Sequence, residues 1–106
     1  MDKQKAVTMF DSLASEIRLD IVKLLLKFGD DGLVAGEIAA DLDIPSTNLS
    51  FHLKNLVHAG LLQSEQEGRY QRYRVDLPTL IDLSTFLMEK CCALQSDKSA
   101  KHLLSS

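Results

Sequence analysis

The stretch "GEIAADLDIPSTNLSFHLKNLVHAG", residues 36–60, restricts the possible folds more than any other. In its first half Ile38, Ala39 and Leu42 recur at helical spacing, and Pro45 drives the residue before it out of helical space. Its second half opens on hydroxyl residues suited to capping, Ser46 or Thr47, and stops at Gly60. Leu49, Leu53, Leu56 and Val57 between them form one apolar stripe. Two short amphipathic helices joined by a tight proline turn outline a helix-turn-helix.

The flanks complete a domain. Upstream, "SEIRLDIVKLLLKFG" predicts a helix with Ser15 as N-cap, Gly29 as stop, and a stripe of Ile17, Ile21, Leu24, Leu25 and Phe28. "KQKAVTMFDSLA" before it repeats the pattern more weakly through Val7, Phe10 and Leu13. Downstream, "LLQSEQ" and "YQRYRVDL" alternate in character and predict two strands joined by a turn on Gly68. Pro78 suits the first turn of a last helix, with Leu80, Leu83, Leu87 and Leu94 near heptad spacing and Ile81, Phe86 and Met88 beside them. Apolar residues on more than one side let that helix cover its own domain and meet a second chain. The expected fold is mainly α with a two-stranded β-hairpin (α+β), a winged helix-turn-helix over residues 1–95, followed by a polar, frayed tail over 96–106.

Composition agrees with that size and class. A chain of 106 residues with 45% hydrophobic and 25% charged residues is one small globular domain, which a second copy would help to stabilise. No apolar run approaches the ~20 residues of a bilayer span, and "MDKQKAVTMF" has no signal-peptide core, so a cytoplasmic location with reduced thiols and no membrane partner is expected. No Ser/His/Asp, Cys/His or paired-carboxylate arrangement points to an enzyme.

A winged helix places the helix after Pro45 in the major groove of duplex DNA. Opposite the leucine stripe lie Thr47, Phe51, Lys54, Asn55 and His58, with Ser46 and Asn48 at the exposed start and Ser50 beside them. Ser, Thr and Asn address base edges or phosphates, Lys54 a phosphate or guanine, and Phe51 a thymine methyl. The polar residues alone would also suit a solvated helix face or a protein-interaction module that never touches DNA. An outward Phe51 fits a merely solvated face less well, and the interaction module stays open as the alternative of another class. His52, beside the stripe, reads as a structural, hydrogen-bonded histidine.

The net charge of −3 speaks against nucleic acid only as an average. Residues 46–76 hold four basic groups (Lys54, Arg69, Arg72, Arg74) and three acids (Glu65, Glu67, Asp76), a net +1. Arg69 and Arg72, at and just after the hairpin turn, suit a wing that meets the DNA backbone or minor groove, unless Glu65 and Glu67 pair with the hairpin's arginines.

"LASEIRLDIVKLLL", "SFHLKNLVHAGLL" and "EGRYQRYRV" together resemble the ArsR/SmtB family of small winged-helix repressors, over nearly the whole chain. The resemblance implies a homodimer through the first and last helices, bound to double-stranded operator DNA until a ligand releases it. The family's arsenic box corresponds to "LVAGEI", where Val34 and Gly36 stand in place of the two thiols. Its zinc sites on the last helix need an Asp-x-His and a His pair; "Asp82-Leu83-Ser84" and a lone His102 in the tail do not supply them, so zinc is not expected.

What remains is the only cysteine pair, Cys91 and Cys92, similar to a family branch in which vicinal cysteines on the last helix bind trivalent arsenic. Thiolates suit a soft, thiophilic centre. The branch's third cysteine is missing from "ALQSDKSAK", which fits an organoarsenical, or arsenite or antimonite with a ligand from solvent or a small thiol. A redox or persulfide switch through the same pair, or inert core sulfur, are the alternatives; a vicinal disulfide would be strained.

Overall fold

A computed structural model of the protein describes residues 1–94, with side chains to residue 89. In chain order the elements are α1 (Lys3–Leu13), α2 (Glu16–Phe28), a 3-10 turn (Gly29–Asp31), β1 (Leu33–Val34), α3 (Ala35–Leu42), α4 (Ser46–His58), β2 (Leu62–Glu67), β3 (Tyr70–Val75) and α5 (Leu77–Leu94). The helices enclose one core of Ile21, Val22, Leu24, Leu25, Ile38, Leu49, Leu53, Leu56, Leu61 and Leu62 with their neighbours. No helix among the described residues is long and apolar enough to cross a membrane.

Local chemistry sets the helix starts. Asp2 Oδ1 accepts from the Lys5 amide at 2.8 Å, Ser15 Oγ from Arg18 at 3.3 Å, and Asp76 Oδ1 from Thr79 at 3.2 Å. Glu37 Oε1 reaches back to the Val34 amide at 2.9 Å and closes the start of α3. At the end of α3, Asp43 takes the left-handed conformation (φ 53) that Asp tolerates better than most residues.

The start of α4 differs from expectation. Its N-cap is Pro45, with no side-chain cap, and the Pro45 carbonyl takes the Leu49 amide at 3.0 Å. Proline's fixed φ presets the chain's entry into the helix. Ser46 and Thr47, expected as caps, lie in the first turn with their hydroxyls unused by the helix start.

The sheet also departs from the hairpin expected. It has three strands in the order β1-β3-β2, all antiparallel. β1, two residues long, pairs Leu33 with Tyr73 and Val34 with Arg72, and is too short to show an alternating pattern in sequence. The hairpin itself is as expected: Glu67 pairs with Tyr70 across a two-residue turn with Gly68 at φ 59.

α1 turns a different face inward from the one its larger residues suggest. Ala6, Met9 and Ser12 are buried, whereas Val7 and Phe10 are 59% and 40% exposed. Small Ala6 lets the helix approach closely and flexible Met9 fills the gap. Phe28, too, is exposed at the end of α2, and Leu87 is exposed on α5 while Leu83 is buried.

Gly32 is where the chain crosses β3. Its φ is 58, and a Cβ there would sit 2.2 Å from the Tyr73 carbonyl oxygen. Gly32→Ala is expected to destabilise the domain by about 2 kcal/mol or more. Gly36→Ala, in α3 with nothing within 4 Å of the added carbon, should be neutral or stabilising by up to ~1 kcal/mol. Urea unfolding of the two variants checks the contrast.

Candidate nucleic-acid interface

Leu49, Leu53 and Leu56 are at most 1% exposed and fix the rotation of α4 about its axis. The opposite side is open. Ser46, Thr47, Asn48, Ser50, Phe51, Lys54 and His58 are all exposed, and Thr47, Phe51, Lys54 and His58 recur at i, i+4, i+7 and i+11. Phe51 is 66% exposed in the middle of this face. The structure thus brings these seven of the expected α4 residues onto one side of the helix; Asn55, also expected there, is the exception.

The wing residues differ in state. β2 packs on α4 and roots the hairpin beside it, with Leu62 buried and Tyr73 and Val75 packed on the core. Desolvation raises the Tyr73 pKa above its ordinary value, in keeping with that position. Arg69, at the turn, is exposed and makes no hydrogen bond or ion pair among the described residues. Arg72 Nε instead donates to both Glu67 oxygens, at 3.0 and 2.9 Å, and its Nη1 donates to the Asp31 carbonyl at 2.9 Å. Arg74 Nη1 pairs with Glu65 at 3.3 Å. The salt-bridged hairpin weighed from the sequence is therefore present, and Arg72 ties the wing to the turn after α2.

Asn55 does not share the open face expected for it. It is half-buried, and the buried Ser12 hydroxyl donates to its Oδ1. Arg18 Nε donates to the Ser12 carbonyl at 2.6 Å, and Arg18 Nη1 donates to His52 Nδ1 at 3.1 Å. A guanidinium has no acceptor, so Nδ1 is the acceptor and the imidazole is neutral with its proton on Nε2. Burial first, then the charge of Arg18, holds the His52 pKa below its ordinary value. This clasp joins α1, α2 and α4. His52 is the structural histidine expected; Ser12 and Arg18 were not singled out in the sequence. A serine three residues after Met9, on the buried face of α1, was the available signal.

An open cleft of about 600 Å3 lies where α1, the end of α4 and the start of α5 meet, lined in part by Asp2, Lys5, His58 and Asp76. Both carboxylates are engaged: Asp2 caps α1, and Asp76 takes the Thr79 amide and, at 3.2 Å, Gln63 Nε2. Among the described residues no three His, Cys, Asp or Glu side chains come together to hold a metal. Val34 and Gly36 sit at the end of β1 and in the first turn of α3. Cys91 and Cys92 fall within α5, but their side chains, like the tail over 96–106 with His102, lie outside the described ones.

Residues 13–65, which run from the end of α1 into β2, match the helix-turn-helix domain family. The Vibrio cholerae transcriptional activator HlyU is 32% identical over 82 residues, 74% of this chain and 73% of HlyU. Its structure superposes with a TM-score of 0.65, covering 82% of this chain and 97% of that one. The chain belongs to the ArsR family of winged-helix regulators.

As an ArsR-family protein it is a transcriptional regulator with a DNA-binding helix-turn-helix. It is also similar to the arsenical resistance operon repressor of Escherichia coli, 35% identical over 69 residues, which are 65% of this chain and 57% of the repressor. A Mycobacterium bovis domain described as a homodimeric winged helix-turn-helix DNA-binding domain matches at TM-score 0.65 and 27% identity, over 82% of this chain and 81% of that one. In this family member the clasp fixes α4 from behind. Ser12→Ala removes a buried donor and is expected to cost about 1–2 kcal/mol of stability, read as a lower urea midpoint with unchanged slope.

Proposed function

We propose that this ArsR-family chain is a homodimeric repressor that reads operator DNA through α4 and the wing and leaves it when trivalent arsenic binds Cys91 and Cys92. The single observation that carries the DNA reading is Phe51, 66% exposed amid small polar residues on the outer face of α4. A large apolar ring held out in water at that position suits the methyl of a thymine in the major groove. Ser46, Thr47 and Asn48, around the first turn, and Ser50 suit base edges and phosphates; Lys54 suits a phosphate or guanine. Arg69, with its charge unpaired among the described residues, reaches a backbone phosphate from the wing tip. Arg72 touches DNA only by exchanging Glu67 for a phosphate, so its first role is to hold the wing's pose.

Support for a dimer is the apolar surface left on α1 and α5, which pack on each other. Val7 and Phe10 on one, and Leu77, Ile81, Leu87 and Met88 on the other, are exposed in the single chain. A second copy covering them would set two α4 helices on a two-fold site.

The arsenic reading rests on thiol chemistry and on the E. coli relative named for arsenical resistance. Consecutive side chains of a helix diverge by ~100°, so chelation by Cys91 and Cys92 would bend the end of α5. A second reading, a thiol redox or persulfide switch, is favoured by the Vibrio cholerae relative, of which one structure is described as reduced HlyU (30% identity, TM-score 0.63).

The test uses a labelled duplex selected by the protein from a random library. Lys54→Ala and Arg69→Ala are expected each to weaken binding and to lower the salt slope by about 1. Phe51→Ala should cost about 1–3 kcal/mol and erase any preference for thymine over uracil. Methylarsenite or arsenite, under full reduction, should release the duplex from the wild type but not from a variant with serine at 91 and 92. Release by peroxide alone, reversed by a thiol reductant, supports the redox reading; arsenical release retained in the double variant contradicts the cysteine site.

A further inference from the structure

We propose that His52 is a positioning residue for sequence recognition: by accepting Arg18 Nη1 on Nδ1 it holds α4, and Phe51 on it, in the reading pose. The inference rests on the DNA-reading role of α4 and names the group that controls it. One guanidinium spans three helices here, rising from α2, donating to the Ser12 carbonyl of α1 and donating to His52 of α4. Asn55 adds a second tie from α4 to the same Ser12. Both ties lie on one side of α4, next to the leucine stripe, where apolar packing resists exposure of the leucines but does little against small rotations.

His52 also meets the reader directly. Its ring centroid is 5.6 Å from that of Phe51, with the rings at 76°, an edge-to-face contact. The orientation of the imidazole that Arg18 imposes is thus the surface against which Phe51 rests.

The tie exists in one protonation state. As an acceptor, Nδ1 must keep its lone pair. A proton on Nδ1 removes the acceptor and sets an imidazolium against the guanidinium 3.1 Å away, a like-charge contact that breaks the tie and frees α4 from it. Arg18, from α2, is the charged group that acts on the ring among the described residues, and the uncharged Phe51 of α4 meets it edge to face. Because the folded-state pKa is lowered, the neutral ring and its tie are fully present above the ordinary histidine value of about 6.5 and are lost as pH falls below it. Binding of most proteins to DNA tightens as pH falls and positive charge accumulates. The clasp predicts the opposite trend for the selected site.

Two isosteric variants separate positioning from mere structure. In His52→Asn the amide oxygen stands near the position of Nδ1, keeps the acceptor and cannot gain charge. In His52→Gln the oxygen reaches instead toward the position of Nε2. Affinity for the selected duplex, relative to an unselected one, is measured between about pH 8 and pH 5, with circular dichroism confirming the fold. The wild-type ratio is expected to fall roughly tenfold or more on acidification while that of His52→Asn stays flat. At pH 8, His52→Gln should discriminate less well than His52→Asn. The other histidines are common to all three proteins and cancel. An asparagine variant that falls in parallel with the wild type, or a glutamine variant equal to the asparagine one, overturns the positioning role. A wild type that selects no duplex overturns the DNA-reading role of α4, and this inference with it.

Discussion

Burial of Leu49, Leu53 and Leu56 in one core with Ile21, Leu25 and Ile38 fixes which side of α4 the protein shows to the outside. Each fully buried leucine contributes about 1.5–3 kcal/mol, so the three together hold several kcal/mol against exposure. Turning α4 by one residue, ~100°, would lift leucines into water and press Ser50 or Lys54 against the core. That alternative loses on both sides. The outward placement of Phe51, Lys54 and the first turn follows from this one rotational constraint.

Apolar contact is non-directional, and the finer pose needs directional bonds. The clasp of Ser12, Arg18, His52 and Asn55 provides them on one flank of α4. On the other flank, β2 packs on α4 while β3 is held by β1 and by the Arg72 bonds to Glu67 and Asp31. The turn after α2 closes tightly on β3 because Gly32 lets the backbones touch at Tyr73. Helix and wing are therefore both referred back to α2. Ser12 is the α1 side chain hydrogen-bonded to α4.

Residues that obey a single period were legible in the sequence. The α4 leucines, the Ser15 cap, the Gly68 turn and the pairing of two strands all follow from spacing and turn chemistry, and the structure has each where expected. Elements whose position depends on distant partners were not. β1 is two residues and exists only because β3 offers it a free edge. The inward face of α1 is hidden in the sequence because Val7 and Phe10 are larger and more apolar than Ala6 and Ser12. Burial there is decided by close approach to the rest of the core, and by Asn55 waiting for the serine. Asn55 was placed on the open face by angle alone, though its bond to Ser12 holds it half-buried. Arg72 is the reverse case: its position suits DNA, yet the register sets Glu67 beside it.

Two surfaces with different chemistry thus stand on one frame: a polar face with one aromatic on α4, and an apolar one on α1 and α5. The clasp bonds α1, through Ser12, to α2 and α4. Amide chemical-shift mapping of the isotope-labelled protein titrated with the selected duplex tests this division most directly. The largest shifts are expected at Ser46–Asn48, Ser50, Phe51, Lys54 and the Gly68–Arg69 turn, with smaller ones at Ser12 and Arg18. Shifts centred on the outward residues of α1 and α5, with α4 and the wing unmoved, would contradict it.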